Sequence, residues 1–265
     1  MEQTQEFWKL LLGGNLLVPL VDEQGATFVD ANCLFGEYAM DLARDFPKVQ
    51  VIGIGKEHNS PVAKPSNCTF IVEDIISGTS LTSNSCQFVQ SRDVSLSLKE
   101  EGWKRYLAEL YRILGKDGWI QVLEMDVWRQ YPESDGAGYK LWSDKVFPAL
   151  AKTKGVCVEE LDGKLLEWAQ NVGFTDITPL RFEIPVGFWE DVEYGSASPS
   201  TLLTVLPEPN LIAAGKMLRD NLLDAVDHKR ALVFSVVMDR TEAETIIASA
   251  KGELYDDAFC AFHSA

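Results

Sequence analysis

The sequence is poor in positive charge and has no motif typical of a metal site or a disulfide framework. Lysine and arginine number 24 against 40 aspartate and glutamate, giving a formal charge of −16. A surface of this charge repels phosphate backbones and anionic bilayers, so we expect neither nucleic-acid nor membrane partners. The five cysteines form no CxxC pair and have no histidine at zinc spacing. We therefore expect reduced thiols and no metal.

Long apolar runs are missing as well. No run approaches the roughly eighteen residues that span a bilayer. The first residues, Met1 to Glu6, lack the basic region that opens a secretion signal. We therefore expect a soluble, cytoplasmic protein. A length of 265 residues fits one α/β domain with an elaborated end.

The sequence does contain a regular alternation of apolar runs and helical periods. The runs of strand length lie at residues 26–30, 49–54, 68–72, 86–90 and 119–124. Helical periods separate several of them, as at residues 37–46 and 98–114. This alternation is typical of a parallel sheet covered on both faces. It places a core at residues 26–126, after a helical segment at residues 1–25.

Residues 127–265 have a different pattern and are predicted to complete the same domain with a helical insertion and C-terminal strands. A strand is predicted at residues 174–184. A later helix is predicted to open with the capping box Thr241 to Glu244, in which a threonine is followed three residues later by a glutamate.

Polar residues at the carboxyl ends of the strands are the first functional candidates, because ligands of open α/β sheets bind there. Histidine, arginine and carboxylates together suit acid–base chemistry. On this basis the predicted catalytic residues are His58, Arg92, Glu124 and Asp126.

Three segments resemble the fungal secondary-metabolism methyltransferases, the family of the regulator LaeA. Residues 28–36, FVDANCLFG, are similar to the family's VLDIGTGTG. Residues 84–92, NSCQFVQSR, are similar to NSFDLIHAR, and residues 111–126, YRILGKDGWIQVLEMD, to YRVLKPGGWLEVQEFD. The resemblance implies a Rossmann-like class I methyltransferase fold, with a mostly parallel seven-stranded sheet, residues 26–30 at its centre and helical additions.

The resemblance also implies where S-adenosylmethionine would bind, and there the sequence departs from the family. The positions concerned are Asp30, Asn32, Leu34, Gly36, Gly55 and Asp74. Only Gly36 keeps a glycine of the GTGTG loop, Leu34 and Phe35 are expected to project into the cofactor's space, and Gly55 replaces the carboxylate that accepts from the ribose hydroxyls. We therefore expect no cofactor. The alternative is a shifted loop in which Glu57 replaces the lost carboxylate.

The resemblance places the acceptor pocket between the sheet and the helical insertion, where the sequence is rich in aromatic residues. Pockets for apolar small molecules are commonly lined this way. The predicted substrate-binding residues are Trp128, Tyr139, Trp142, Phe182, Phe188 and Trp189. The expected partner is a small apolar natural-product intermediate.

Three hypotheses for function follow. The leading one is a natural-product tailoring enzyme that performs a cofactor-free cyclisation, rearrangement or isomerisation, in the manner of a pericyclase. The second is an S-adenosylmethionine-dependent methyltransferase with a remodelled loop. The third is a catalytically dead pseudo-methyltransferase that acts as a binding or regulatory partner. The sequence is compatible with a homodimer and does not decide the oligomeric state.

Overall fold

The structure is a computed structural model. It describes residues 3–57, 63–125, 137–156, 161–181, 183–186, 208–229, 233, 237, 239–255 and 261–264. Within these ranges, no helix combines the length and the apolar character needed to cross a bilayer.

The core is a five-stranded sheet in which every pair of neighbouring strands is parallel. Its strands are β1 (Thr27–Asp30), β2 (Gln50–Gly55), β3 (Cys68–Val72), β4 (Cys86–Arg92) and β5 (Leu114–Leu123). Their spatial order is β3-β2-β1-β4-β5, so β1 is central, as predicted. In this order all five carboxyl ends lie along one edge of the sheet.

Some helices pack on the sheet, and others form a separate cluster. They are α1 (Gln3–Leu12), α2 (Glu37–Asp45), α3 (Glu100–Ile113), α4 (Ala137–Lys154), α5 (Leu161–Val172), α6 (Glu208–His228) and α7 (Arg240–Tyr255). On one side of the sheet, α3 and α5 share a core with Val29 and Val89. A separate cluster joins α1, α4, α6 and α7 into a helical cap.

The expected seven-stranded sheet is not found in the described ranges. The last two strands, β6 (Glu183–Val186) and β7 (Ala261–Ser264), pair with each other in an antiparallel two-stranded sheet. Within the predicted strand 174–184, residues 174–181 have no regular structure and the strand begins at Glu183. Apolar patterning indicates that a segment is extended, but it does not specify the partner with which that segment pairs.

The predicted capping box is also wrong. The helix α7 begins at Arg240, and the side-chain Oδ1 of Asp239 accepts from the backbone N–H of Glu242 at 2.9 Å. Thr241 therefore lies inside the helix. Aspartate caps helices as well as threonine does, and here it lies two residues earlier in the chain.

Candidate functional site at the carboxyl edge of the sheet

The carboxyl edge brings several of the predicted residues together. Asp30 ends β1, Gly55 ends β2 and Arg92 ends β4. Asp74 and Glu124 follow one or two residues after β3 and β5. Six other predicted residues lie outside the described ranges, namely His58, Asp126, Trp128, Phe182, Phe188 and Trp189.

Asp30 is a buried carboxylate with one oxygen left unsatisfied. Only 2% of the residue is exposed, and Oδ2 has no hydrogen-bond partner among the described residues. Burial raises the pKa of this carboxyl to about 7, against the opposing effects of Arg92 and of backbone hydrogen bonds at Asn32 and Ala39. An unsatisfied buried carboxylate oxygen is costly, and such atoms normally have a donor.

Arg92 is the matching buried cation. The residue is 6% exposed, and its Nη1 donates to Gln5 Oε1 at 2.5 Å. The guanidinium lies 4.0 Å above the ring of Tyr38. In the part of the chain that the structure describes, Nε and Nη2 find no acceptor. Burial also lowers the pKa of this guanidinium.

The loop between β1 and α2 has left-handed backbone conformations, although Gly36 is the one glycine it shares with the family's GTGTG motif. Leu34 has a φ of +43° and Gly36 a φ of +81°, both in the left-handed region that favours glycine. The side chains of Leu34 and Phe35 are 50% and 40% exposed, so neither is part of the packed core. Asn32 Nδ2 donates to the backbone oxygen of Arg92 at 2.8 Å and holds the loop against β4.

Cys33 lies over the end of β2, next to the position of the missing carboxylate. A Cβ added at Gly55 would lie 3.2 Å from Cys33 Sγ, so an acidic side chain there would require the cysteine to shift. Burial raises the pKa of the Cys33 thiol to about 12, which argues against a nucleophilic role. Beside it, Lys56 Nζ pairs with Asp74 Oδ2 at 3.2 Å. Asp74 Oδ1 also accepts from the backbone N–H of Ile76.

Glu124 is held by the turn that follows β4. Its Oε1 and Oε2 accept from the backbone N–H groups of Val94 and Ser95 at 2.9 and 3.0 Å. Burial raises the pKa of Glu124 to about 8, and the neighbouring Asp93 adds to the rise. With both oxygens occupied, Glu124 fixes the end of β4 relative to the end of β5.

Tyr139 and Trp142 are core residues of the helical cap. They are 1% and 0% exposed, and their rings stack with centroids 5.8 Å apart. They share a cluster with Phe7 and Leu123, which brings them near the end of β5. Trp142 Nε1 is a buried donor for which the described residues offer no acceptor.

Two site residues were missed in the sequence. Gln5 and Trp8, three residues apart on α1, contact the consecutive residues Arg92 and Asp93. The available signal was a glutamine on the otherwise apolar face of the first helix. No group of three or more potential metal ligands occurs among the residues described.

Comparison with known proteins finds methyltransferases. No family model matches the sequence. The chain is 24% identical over 93% of its length to methyltransferase pytC of Aspergillus terreus, of which it covers 71%. It is 24% identical over 63% of its length to the secondary metabolism regulator laeA of Aspergillus fumigatus, of which it covers 45%.

A solved structure aligns over the whole chain. It is phosphoethanolamine N-methyltransferase 2 of Haemonchus contortus in complex with S-adenosyl-L-methionine, with 14% identity and a TM-score of 0.49. The chain covers 56% of that protein, little more than half its length.

The expectation that no cofactor is used is therefore wrong. The relative that matches 93% of the chain is named a methyltransferase. The relatives favour the methyltransferase alternative over the leading hypothesis of a cofactor-free cyclisation. The parallel α/β core has a Rossmann-like arrangement, and the sequence is similar to fungal methyltransferases and to the regulator LaeA.

Proposed function

We propose that this protein transfers a methyl group from S-adenosylmethionine to a small apolar molecule of natural-product biosynthesis. One observation carries the proposal: two buried side chains of opposite charge, Asp30 and Arg92, keep unsatisfied polar atoms at the edge of the sheet where a cofactor binds. Buried polar atoms are normally paired. We therefore expect the unsatisfied atoms of Asp30 and Arg92 to bind a ligand that carries both a positive and a negative charge.

The amino-acid end of S-adenosylmethionine has that chemistry. Its ammonium group suits the free Oδ2 of Asp30, and its carboxylate suits the free N–H groups of Arg92. Asp30 and Arg92 attract each other electrostatically but form no direct ion pair, so neither has to be released before a ligand binds. When bound, the cofactor supplies an activated methyl group.

The loop supports the same assignment. The left-handed φ angles at Leu34 and Gly36 fall on two of the three positions where the family's loop has glycine. Glu57 lies two residues beyond Gly55 and is exposed, and we assign it the ribose hydroxyls in place of the missing carboxylate. Asp74, beside Lys56, is assigned to the adenine side.

The acceptor is expected to lie towards the helical cap. Tyr139 and Trp142 lie in the cap cluster with Leu123, the last residue of β5. A non-catalytic binding protein is the second candidate, favoured by one observation: these two rings are packed rather than lining open space. An enzyme requires the cap to open for the acceptor, whereas a scaffold does not.

Calorimetry with S-adenosylmethionine and S-adenosylhomocysteine tests cofactor use. We expect binding in the micromolar range, and no heat at about 100 μM ligand would contradict the proposal. Arg92→Lys keeps the charge but removes the planar fork, and is expected to weaken binding about tenfold or more. Arg105→Lys on α3 is the matched control. Formation of S-adenosylhomocysteine over a panel of small apolar acceptors then separates an enzyme from a binding protein.

A further inference from the structure

The free N–H groups of Arg92 lie on one edge of its guanidinium. Nη1 is occupied by Gln5 Oε1, and one face of the plane is occupied by the Tyr38 ring. The two atoms without a partner, Nε and Nη2, belong to the same edge. Together they form the two-pronged donor that matches the two oxygens of a carboxylate.

Gln5 is itself held in one orientation. Its Nε2 donates to Asn15 Oδ1 at 2.9 Å and to Asp41 Oδ2 at 3.2 Å. Because both of these partners are acceptors, the amide must present its nitrogen to them and its oxygen to Arg92. Asn15 is fixed in turn by donating to Asp45 Oδ2 at 2.6 Å.

We infer that Gln5 is a positioning residue for cofactor recognition, which orients the guanidinium of Arg92 so that its Nε and Nη2 edge receives the carboxylate of the cofactor. The inference rests on the proposed function. Without an acceptor at Nη1, the guanidinium is free to turn towards the charge of Asp30, and the two groups would then satisfy each other instead of the ligand.

The test separates the amino-acid end of the ligand from its nucleoside. Gln5→Met keeps the length of the side chain but has no strong acceptor. The change also removes the hydrogen bonds from Gln5 to Asn15 and Asp41, so thermal unfolding checks first that the variant is folded. Calorimetry then compares S-adenosylhomocysteine with 5′-methylthioadenosine, which lacks the amino-acid group.

We expect Gln5→Met to weaken S-adenosylhomocysteine binding about tenfold and to leave the affinity for 5′-methylthioadenosine unchanged. Glu6→Gln is the matched control, because it changes an exposed residue of the same helix and leaves the hydrogen bonds of Gln5 and Arg92 in place. Gln5→Asn, which retains the amide, is expected to recover part of the affinity.

Two results would overturn the inference while leaving cofactor binding in place. One is an equal loss for both ligands, which would give Gln5 a purely structural role. The other is an unchanged affinity for S-adenosylhomocysteine. If the unsubstituted protein binds neither ligand, the proposed function fails, and the inference fails with it.

Discussion

The indole Nε1–H of Trp8 donates to Asp93 Oδ2 across 2.9 Å and joins the first helix to the residue that follows β4. Asp93 has a left-handed φ of +53°, and burial raises the pKa of its carboxyl. This hydrogen bond and the one from Arg92 to Gln5 attach α1 to two consecutive residues.

Trp8→Phe is expected to lower the free energy of unfolding by about 1.5–3 kcal/mol, because it leaves the partly buried carboxylate of Asp93 without its donor. Urea denaturation measures the change. Trp119→Phe is the control, since that side chain is 42% exposed. If both substitutions lower the free energy of unfolding equally, the loss of ring size explains the effect and the hydrogen bond to Asp93 adds nothing to stability.

Leu34→Gly is expected to tighten S-adenosylhomocysteine binding without loss of stability. A left-handed backbone costs a non-glycine residue about 1–2 kcal/mol, and relief of that cost offsets the added freedom of glycine in the unfolded chain. Phe35→Gly changes a position without positive φ. It gains no such relief and is expected to be less stable than the unsubstituted protein. Calorimetry and urea denaturation of both variants provide the comparison. A Leu34→Gly protein as unstable as Phe35→Gly would contradict the strained backbone.

Glu124→Gln is expected to flatten the dependence of stability on pH. Burial raises the pKa of Glu124 from 4.5 to about 8 in the folded protein. The folded state therefore binds this proton more tightly than the unfolded state. The resulting stability is present below about pH 4.5 and is lost as the pH rises towards 8, with a slope of at most about 1.4 kcal/mol per pH unit.

Urea midpoints between pH 5 and pH 8 measure that slope. Glu101→Gln, on the exposed side of α3, serves as the control and should keep the slope of the unsubstituted protein. A Glu124→Gln protein with an unchanged slope would mean that Glu124 does not hold the proton.

Trp142→Ala is expected to lower the free energy of unfolding by about 3–5 kcal/mol, because the side chain is fully buried in the cap cluster. Trp119→Ala, at the surface, should lower the free energy of unfolding by much less. If Trp142→Ala instead keeps its stability and loses only acceptor binding, the ring lines a pocket and is not part of the packed core.

The parallel sheet and several of the side chains at its carboxyl edge, where the candidate site lies, could be predicted from the sequence. The run that ends in Asp30 was identified as the central strand, and the candidates Asp30, Arg92 and Glu124 do lie at the carboxyl edge. These predictions depend on local patterns and on the general rule that ligands bind at that edge.

What the sequence did not reveal depends on distant or backbone contacts. Leucine at position 34 suggested a changed loop, yet the loop path is fixed by the hydrogen bonds Cys33 N to Ile54 O and Gly36 N to Cys33 O. The contact of Gln5 with Arg92 spans 87 positions, and no spacing rule connects residues so far apart.

That separation affects how the protein is made. Gln5 meets its partner 87 residues later in the chain, Trp8 meets its partner 85 residues later, and the N–H of Leu17 meets Gln121 after 104. At a synthesis rate of about 5–20 residues per second, the first helix leaves the ribosome roughly 4 to 17 seconds before β4 is available to receive it. The apolar face carrying Phe7, Trp8 and Leu11 waits longer still, because it packs against cap helices that follow residue 137. A nascent chain that stalls before residue 137 therefore exposes these side chains.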